Sequence, residues 1–381
     1  MCAEFAYPGR AQFHYQFMTP DDVAGGPEYF DFQFLDGHEA SYKLDTFVRM
    51  AAPILFDNHG RPLNYLRLAV TDRCNLRCFY CMPEEGIRYL PQRELLTFTE
   101  IERLVSILAT LGVSKVRVTG GEPFVRPDLM TLLARIQSIE GINDVHITTN
   151  GILTGPHIPA LKRMGIASVN LSMDTLDPAR YREITRRDEF AKTWDTLQQL
   201  VANEIAVKVN AVVMQDKNID DLVPLVELTR HQNISVRFIE EMPFNGEGSH
   251  YPQLRWTYQK ILAHLRAAYP DLQKIADAEN ATAYHYQVPG FRGHIGIIAA
   301  FSRTFCGSCN RIRITAQGTL KTCLYDDGVL DLKALLRGGK SDVEITEALR
   351  LAFAHRAKDG LEAEAHRHKK SITESMSTIG G

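Results

Sequence analysis

Three observations predict an α/β fold. Apolar, β-prone stretches alternate with helical ones from Tyr65 to Glu240, turn signals separate them, and the chemically unusual residues fall where strands end. Such alternation predicts a parallel sheet. Half a dozen βα units predict an incomplete (βα)6-type TIM barrel, in which function gathers at the C-terminal ends of the strands. A C-terminal layer closes one end of it. The 381 residues exceed the usual single-domain size and leave room for that layer.

Residues 1–60 are rich in aromatics, Gly and Pro without clear periodicity, and read as an N-terminal extension of uncertain structure with no assigned chemistry. The barrel occupies residues 61–243. Its first strand is Tyr65-Leu66-Arg67-Leu68-Ala69-Val70, ending at Thr71-Asp72. Ile101, Leu104, Val105, Leu108 and Leu111 then repeat at helical spacing, with Thr99 and Glu102 as a capping box and Gly112 as the stop. Further strands are predicted at Lys115–Thr119, Val145–Thr149, Ser168–Ser172, Val207–Met214 and Ser235–Glu240. Helices are predicted at Asp128–Ile139 and Ile219–His231.

After Pro243 the rhythm breaks at Phe244-Asn245-Gly246-Glu247-Gly248, and residues 244–381 form the C-terminal region. It carries a helix near Leu254–Ala268, strand-like pieces at Ile295–Ala300 and Arg311–Thr315, an amphipathic helix over Val343–His355, and a tail ending in Gly380-Gly381.

Hydrophobic residues make up 45% and charged residues 23%, which excludes wholesale disorder. A formal charge of −3 argues against a field that draws in nucleic acid or a membrane surface, so any anion site is local. No apolar run is long enough to span a bilayer, and the N-terminus lacks a basic start followed by an apolar stretch; a cytoplasmic location is expected.

The seven cysteines stand at 2, 74, 78, 81, 306, 309 and 323: two triads and a stray. That placement is wrong for a disulfide scaffold and right for metal ligation or catalysis in a reducing compartment. In Cys74-Asn75-Leu76-Arg77-Cys78-Phe79-Tyr80-Cys81, three thiolates share one loop after a strand. A saturated four-iron cluster takes four cysteines, so three leave one iron open for a small molecule. Zinc sites favour paired ligands in each half, and this spacing fits them poorly. Cys306-Gly307-Ser308-Cys309 and Cys323 repeat the count, with thirteen residues between Cys309 and Cys323 that include Asn310-Arg311-Ile312-Arg313. Here a zinc ribbon lacking a fourth ligand stays open beside a second cluster.

Arg311 and Arg313 have the period-two spacing that puts both guanidiniums on one strand face. Lys115 and Arg117 alternate likewise on the strand ending at Gly120-Gly121, and Arg67 and Lys208 sit on other strands. Together these cations suit a polyanion, because paired donors match phosphate and buried unpaired charge is expensive. His146 reads as a packed histidine rather than a ligand.

The string Cys74–Cys81, with Tyr80 before the last cysteine, resembles the signature loop of the radical S-adenosylmethionine superfamily, and Gly120-Gly121-Glu122-Pro123 resembles its glycine-rich cofactor site. Both triads, the Arg311-Ile312-Arg313 string and the terminal glycines resemble the GTP 3′,8-cyclase family within it, from about Tyr65 to the end. The resemblance implies two [4Fe-4S] clusters, held by Cys74, Cys78 and Cys81 and by Cys306, Cys309 and Cys323. It implies an S-adenosyl-L-methionine site lined by Tyr80, Gly121, Ser172 and Met242, and GTP contacts from Arg67, Arg117, Thr148, Lys208, Arg311, Ile312 and Arg313. Lys115 matches a triphosphate contact, and Gly380 and Gly381 reach the active site.

The implied activity is a lyase: radical cyclisation of GTP to 3′,8-cyclo-7,8-dihydro-GTP, the first step of molybdenum cofactor biosynthesis. The implied partners are GTP, a downstream cyclic pyranopterin synthase, an unidentified reductant protein and a second copy in a homodimer. Two rivals stand beside this reading: a radical enzyme with an auxiliary cluster acting on a peptide, and a non-enzymatic metal-binding module.

Overall fold

Strand sequences in which every second residue is apolar dictate the architecture. A computed structural model describes residues 54–246, 254–368, 372 and 374–380, together with four short strands nearer the N-terminus. The chain divides into two units, Met1–Pro53 and Ile54–Gly381. In the first, β1 (Phe5–Ala6) pairs antiparallel with β2 (Gln12–Phe13), and β3 (Tyr29–Gln33) with β4 (Glu39–Lys43). Residues 54–60, placed by sequence in the extension, belong with the second unit: the Leu55 amide donates to the Leu111 carbonyl at 2.9 Å.

The second unit is built on one sheet. Its centre is β5 (Tyr65–Ala69), β6 (Lys115–Thr119), β7 (Asp144–Thr149), β8 (Ser168–Ser172), β9 (Val207–Val213) and β10 (Ser235–Glu240), parallel and adjacent in chain order. The crossovers carry α1 (Phe98–Thr110), α2 (Leu129–Gln137), α3 (Ile158–Arg163), α4 (Pro178–Thr185), α5 (Phe190–Ala202) and α6 (Leu222–His231). This is the parallel βα arrangement of a partial TIM barrel.

Leu66, Leu68, Val116, Val118, Val169, Leu171, Val236 and Phe238 pack with Leu104, Leu108, Leu132, Leu200 and Leu225 of the helices in one continuous core. Each such side chain contributes about 1.5–3 kcal/mol on burial. The opposite side of the same strands carries Arg67, Arg117, Thr148, Asn170, Lys208 and Arg237. A parallel sheet covered by apolar layers on both faces has near-continuous apolar strands; alternation here means that the second face lines a polar interior.

The C-terminal region joins this sheet at both edges. After α7 (Tyr258–Ala268), β11 (Gln273–Lys274) and β12 (Ala283–Gln287) lead to β13 (His294–Ile298), which runs parallel beside β10. At the other edge β14 (Arg311–Ile314) runs parallel beside β5, followed by the antiparallel β15 (Thr319–Lys321) and β16 (Leu330–Asp331). The chain ends with α8 (Leu332–Arg337), α9 (Asp342–Phe353), α10 (Gly360–Ala365) and α11 (Met376–Ile379).

Because Arg311 is level with Tyr65 and Arg313 with Arg67, Cys306 and Cys309 enter at the N-terminal end of β5, whereas Cys74 follows its C-terminal end. The special residues therefore do not all gather at one end of the strands. Four steps at about 3.3 Å each set the two ends of β5 roughly 13 Å apart.

Two element starts differ from the sequence expectation. The first helix is capped by Thr97 with Glu100, not Thr99 with Glu102: Thr97 Oγ1 accepts from the Glu100 amide at 3.2 Å, and Glu100 Oε2 accepts from the Thr97 amide at 2.7 Å. Either threonine satisfies the motif, and the cap at Thr97 starts the helix at Phe98, two residues earlier than Thr99 would. Helix α7 starts at Tyr258 because Thr257 caps it, not near Leu254.

Candidate functional site

The first cysteine loop is tied down by its backbone. Cys81 and Met82 amides both donate to the Cys78 carbonyl, while Arg77 and Phe79 amides donate to Thr185 and Ile184 at the end of α4. Cys74, Cys78 and Cys81 are free, half-buried thiols. Burial pushes Cys74 up to about 12 and Cys81 to about 11, and raises Cys78 as well. Metal binding would reverse this, since thiolate is the ligand form. Tyr80 donates its hydroxyl proton to Asp174 Oδ2 at 2.8 Å, and the other carboxylate oxygen of Asp174 accepts from the Val212 amide at 2.8 Å.

The Gly-Gly turn after β6 has a reason visible in the backbone. A Cβ on Gly120 would stand 2.4 Å from the Thr71 carbonyl oxygen, and one on Gly121 2.3 Å from that of Arg73. The Gly121 and Glu122 amides donate to those same carbonyls at 2.8 Å. Here the close approach that demands glycine is to the segment leading into the cysteine loop. Glu122 is buried; its carboxylate accepts from Thr149 Oγ1, the Asn150 amide and the Phe124 amide, and burial raises it to about 7. Gly121 and Ser172 thus stand at the C-terminal ends of β6 and β8, on the side of the first triad.

Strand register puts Arg313, Arg67, Arg117 and His146 side by side, and Thr148, Asn170, Lys208 and Ser235 in another row. Arg67 Nε, Thr148 Oγ1, Asn170 Oδ1, Asn210 Oδ1, Arg237 Nε and His146 Nε2 are buried without a hydrogen-bond partner. Such orphans are rare unless a ligand satisfies them. Burial and the neighbouring Arg237, Arg117 and Lys115 bring Lys208 down to about 7. Arg67 falls to about 9 through burial and Arg313, and Arg237 to about 10 through burial and Arg117.

His146 is the packed residue expected on one side, with Nδ1 on Ser168 Oγ at 2.7 Å, yet its other nitrogen is open. Burial and the adjacent cations hold it down to about 2, so it stays neutral. Tyr65, Asn170, Asn210 and Arg237 were not singled out in the sequence. Arg237 had a usable signal, standing between Val236 and Phe238 with the same alternation as Lys208. Tyr65 accepts from Arg117 Nε at 2.5 Å, and Lys115 Nζ lies 5.0 Å from its ring centroid.

Two residues expected at the substrate have side-chain surroundings within the fold itself. Ile312 is fully buried in the apolar core on the helix side of β14, so its side chain is not part of the polar face. Arg311 directs Nε and Nη2 at Cys309 Sγ, at 3.3 and 3.2 Å. Arg313 does face the interior, and its Nη1 donates to the Gly380 carbonyl at 3.2 Å. Burial would raise Cys309, yet Arg311 and Arg356 bring it down to about 6.

The tail reaches this face. Glu374 is gripped by Lys321 at 2.8 Å and Arg367 at 3.0 Å, Ser375 Oγ donates to the Cys81 carbonyl at 2.7 Å, and the Met376 amide donates to Phe244. Ile379 packs with Phe244, Tyr325, Ala363 and Ile372, against which Met242 and Cys323 also lie. Gly380 has φ 79°, and a Cβ there would stand 2.9 Å from Thr119 Cγ2 and 3.1 Å from Ala69 Cβ. It lies wedged at the C-terminal ends of β5 and β6. Gly381 is outside the described residues.

A mononuclear zinc site gathers its donors around one ion. Among the described residues no three His, Cys, Asp or Glu side chains are grouped that way. Two sets of three free thiols flanking a face with orphaned polar atoms fit four-iron clusters in which three irons take one thiolate each and the fourth stays open. No helix among the described residues is long and apolar enough to cross a membrane.

Residues 68–229 match the model of the radical SAM superfamily, and residues 234–361 that of the molybdenum cofactor synthesis C family. The chain is 42% identical over 330 residues to GTP 3′,8-cyclase of Pelotomaculum thermopropionicum, covering 85% of this chain and 99% of that one. It is 38% identical over 346 residues to the mitochondrial GTP 3′,8-cyclase of Arabidopsis thaliana, covering 90% and 87%. It is also 41% identical over 310 residues to molybdenum cofactor biosynthesis protein 1 of Bos taurus, covering 80% of this chain and 49% of that one. The chain thus spans about half the length of the animal relatives it matches. Among solved structures, Streptococcus suis SuiB aligns with a TM-score of 0.54 at 14% identity over 83% of this chain and 77% of that one. The fold is shared.

Proposed function

Since the chain belongs to the GTP 3′,8-cyclase family of radical S-adenosylmethionine enzymes, we propose that it cyclises GTP to 3′,8-cyclo-7,8-dihydro-GTP, the first step of molybdenum cofactor biosynthesis. The observation that carries this reading is the face of clustered cations and orphaned buried polar atoms between the two cysteine triads. A nucleoside triphosphate offers what that face lacks: several negative charges for the cations and a base edge for the amides and hydroxyls.

In this reading Cys74, Cys78 and Cys81 hold one [4Fe-4S] cluster, and Cys306, Cys309 and Cys323 the other. Bound iron–sulfur cluster and S-adenosylmethionine supply the one-electron chemistry that opens the substrate C–H bond. Tyr80, Gly121, Ser172 and Met242 surround the S-adenosylmethionine, with Asp174 fixing the Tyr80 hydroxyl. Arg67, Arg117, Lys208 and Arg313 hold the triphosphate, and Thr148 contributes its open hydroxyl. Arg311 is already committed to Cys309, so it serves the second triad as well as the substrate side. Gly380 narrows the site beside Ala69 and Thr119 and excludes water from the reacting carbons.

Residues 61–243 would carry the radical chemistry and 244–381 the substrate's second anchor. A cytoplasmic location and transfer of a labile product to a downstream cyclic pyranopterin synthase fit the same reading. The test is anaerobic incubation of the reduced, reconstituted chain with S-adenosylmethionine and GTP. Formation of 5′-deoxyadenosine with the cyclised nucleotide is expected. Cleavage stimulated by a peptide and not by GTP would overturn the proposal.

A further inference from the structure

Behind the second cysteine triad lies a buried group of charges. Asp57, Arg61 and Arg356 are 6%, 5% and 3% exposed. Asp57 Oδ2 accepts from Arg61 Nε at 2.6 Å and from Arg356 Nη1 at 2.9 Å, while its Oδ1 accepts from the His59 and Arg61 amides. One carboxylate thus bridges two guanidiniums.

The remaining donors converge on the cysteines. Arg356 Nη1 donates to the Cys309 carbonyl at 2.8 Å, Nη2 to Cys309 Sγ at 3.1 Å and the Arg311 carbonyl at 3.2 Å, and Nε to the Thr322 carbonyl at 2.9 Å. With Asp57 this occupies all five N–H groups that a guanidinium owns. Arg61 Nη1 donates to the Cys306 carbonyl at 2.9 Å and the Lys358 carbonyl at 2.7 Å, and Nη2 to Ala357 at 2.9 Å. Thr322 is the residue before Cys323. Every cysteine of the triad is therefore held directly or through its chain neighbour.

Three buried ionic groups leave one positive charge uncompensated by carboxylate. Such a charge is costly unless a negative group faces it, and the nearest acceptor outside the trio's own backbone contacts is Cys309 Sγ. An N–H directed at a ligating sulfur withdraws electron density and favours the reduced, more negative cluster, which is one of the levers that set cluster potentials.

We propose that Arg356, buttressed by Asp57 and Arg61, is a positioning residue of the second cluster: it fixes the loop that holds the cysteines and keeps that cluster's reduction potential above the value the bare thiolates would give. This rests on the reading of Cys306, Cys309 and Cys323 as cluster ligands.

The test uses the full chain, reconstituted anaerobically, with iron per chain measured alongside a redox titration followed by electron paramagnetic resonance. The first cluster is told apart by the change of its signal on adding S-adenosylmethionine and serves as internal reference. In Arg356→Gln the second cluster's midpoint should move to more negative potential while the first stays put, and Arg356→Lys, which keeps the charge but loses the fork, should shift less. Should Arg356→Gln fail to hold a second cluster, Arg356→Lys, with its smaller negative shift, and Asp57→Asn, which removes a negative charge and should move the midpoint to more positive potential, decide the matter. Full iron with unmoved midpoints in these variants overturns the inference alone. Wild-type protein holding about four irons instead of about eight overturns the ligand assignment beneath it.

Discussion

The two cysteine loops are built on one sheet yet differ in what reaches their sulfurs, most clearly at Cys309. Around Cys74, Cys78 and Cys81 the hydrogen-bonding groups at sulfur are neutral: the Leu76 amide at 3.4 Å and Asn150 Nδ2 at 3.9 Å from Cys74, Tyr80 at Cys78, and Ser375 with the Ser377 amide at Cys81. Burial dominates, and the thiols rise. In the second loop burial raises Cys306 and Cys323 too, to about 11 for Cys323, but around Cys309 two guanidiniums stand within 3.3 Å of sulfur and bring it down. Potentials respond to net charge and to hydrogen bonds at sulfur, so the first loop suits a strongly reducing cluster and the second a milder one. The scaffold gives the position; the second coordination layer gives the chemistry.

The largest effect that would break this comparison is loss of one loop's chemistry without the other's. Cys78→Ala should abolish cleavage of S-adenosylmethionine and lower the iron content from about eight to about four per chain, the second cluster persisting. Iron and sulfide analysis with 5′-deoxyadenosine detection checks it. If all iron is lost together, the two loops are not independent sites.

Next comes the tail, which touches both regions: Ser375 binds the Cys81 carbonyl, while Ile379 packs in the cluster that includes Cys323. Deleting Gly380 and Gly381 should abolish cyclised nucleotide while leaving both clusters intact, because Glu374, Ser375 and Met376 anchor the segment independently. Full activity in the truncated chain would remove the tail from the site.

Much of this was legible in the sequence because it is local. The cysteine spacing, the Gly-Gly turn and the alternation on β6, β9 and β14 are each contained in a few residues. The parallel sheet followed from the same alternation. What could not be read is what folding brings from afar. Asp57 and Arg356 are 299 residues apart, and Arg61 and Lys358 297 apart, with nothing in either segment to mark a site. Residues 54–60 looked like extension for that reason. Period-two geometry sends the Ile312 side chain to the opposite face from Arg311 and Arg313, which the short string does not show by composition alone. Orientation at Arg311 depends on a sulfur two residues away, which spacing alone does not reveal.

Between the loops, the cationic face should respond to pH through Lys208. Its ammonium loses its proton near 7 in the folded protein and near 10.5 when unfolded, so the unfolded state binds more protons between those values and this group's penalty on the fold fades as pH rises from 7 to 10.5. Binding has the opposite sign. A triphosphate wants the charged form, so above pH 7 affinity should fall about tenfold per unit until the complex itself titrates. Lys208→Met should flatten that limb and raise KM for GTP roughly 10- to 100-fold, given about 1.5–3 kcal/mol for a charged hydrogen bond. A pH profile of KM that is flat in the wild type would break the link between this face and a polyanion.

The smallest effect sharpens the contrast from the first loop's side. Asn150 Nδ2 is 3.9 Å from Cys74 Sγ and makes its better bond, 2.8 Å, to Asn75 Oδ1. It is neutral and long, where Arg356 is charged and short, and charge-assisted bonds are about twice as strong as neutral ones. Asn150→Ala should therefore move the first cluster's midpoint less than Arg356→Gln moves the second's, and in the same negative direction. It also removes the turn made when the Ile152 amide donates to Asn150 Oδ1 at 3.1 Å, so a fall in melting temperature is expected together with the small shift. A midpoint shift in Asn150→Ala as large as that in Arg356→Gln would mean that bare proximity to sulfur, and not charge, distinguishes the two loops.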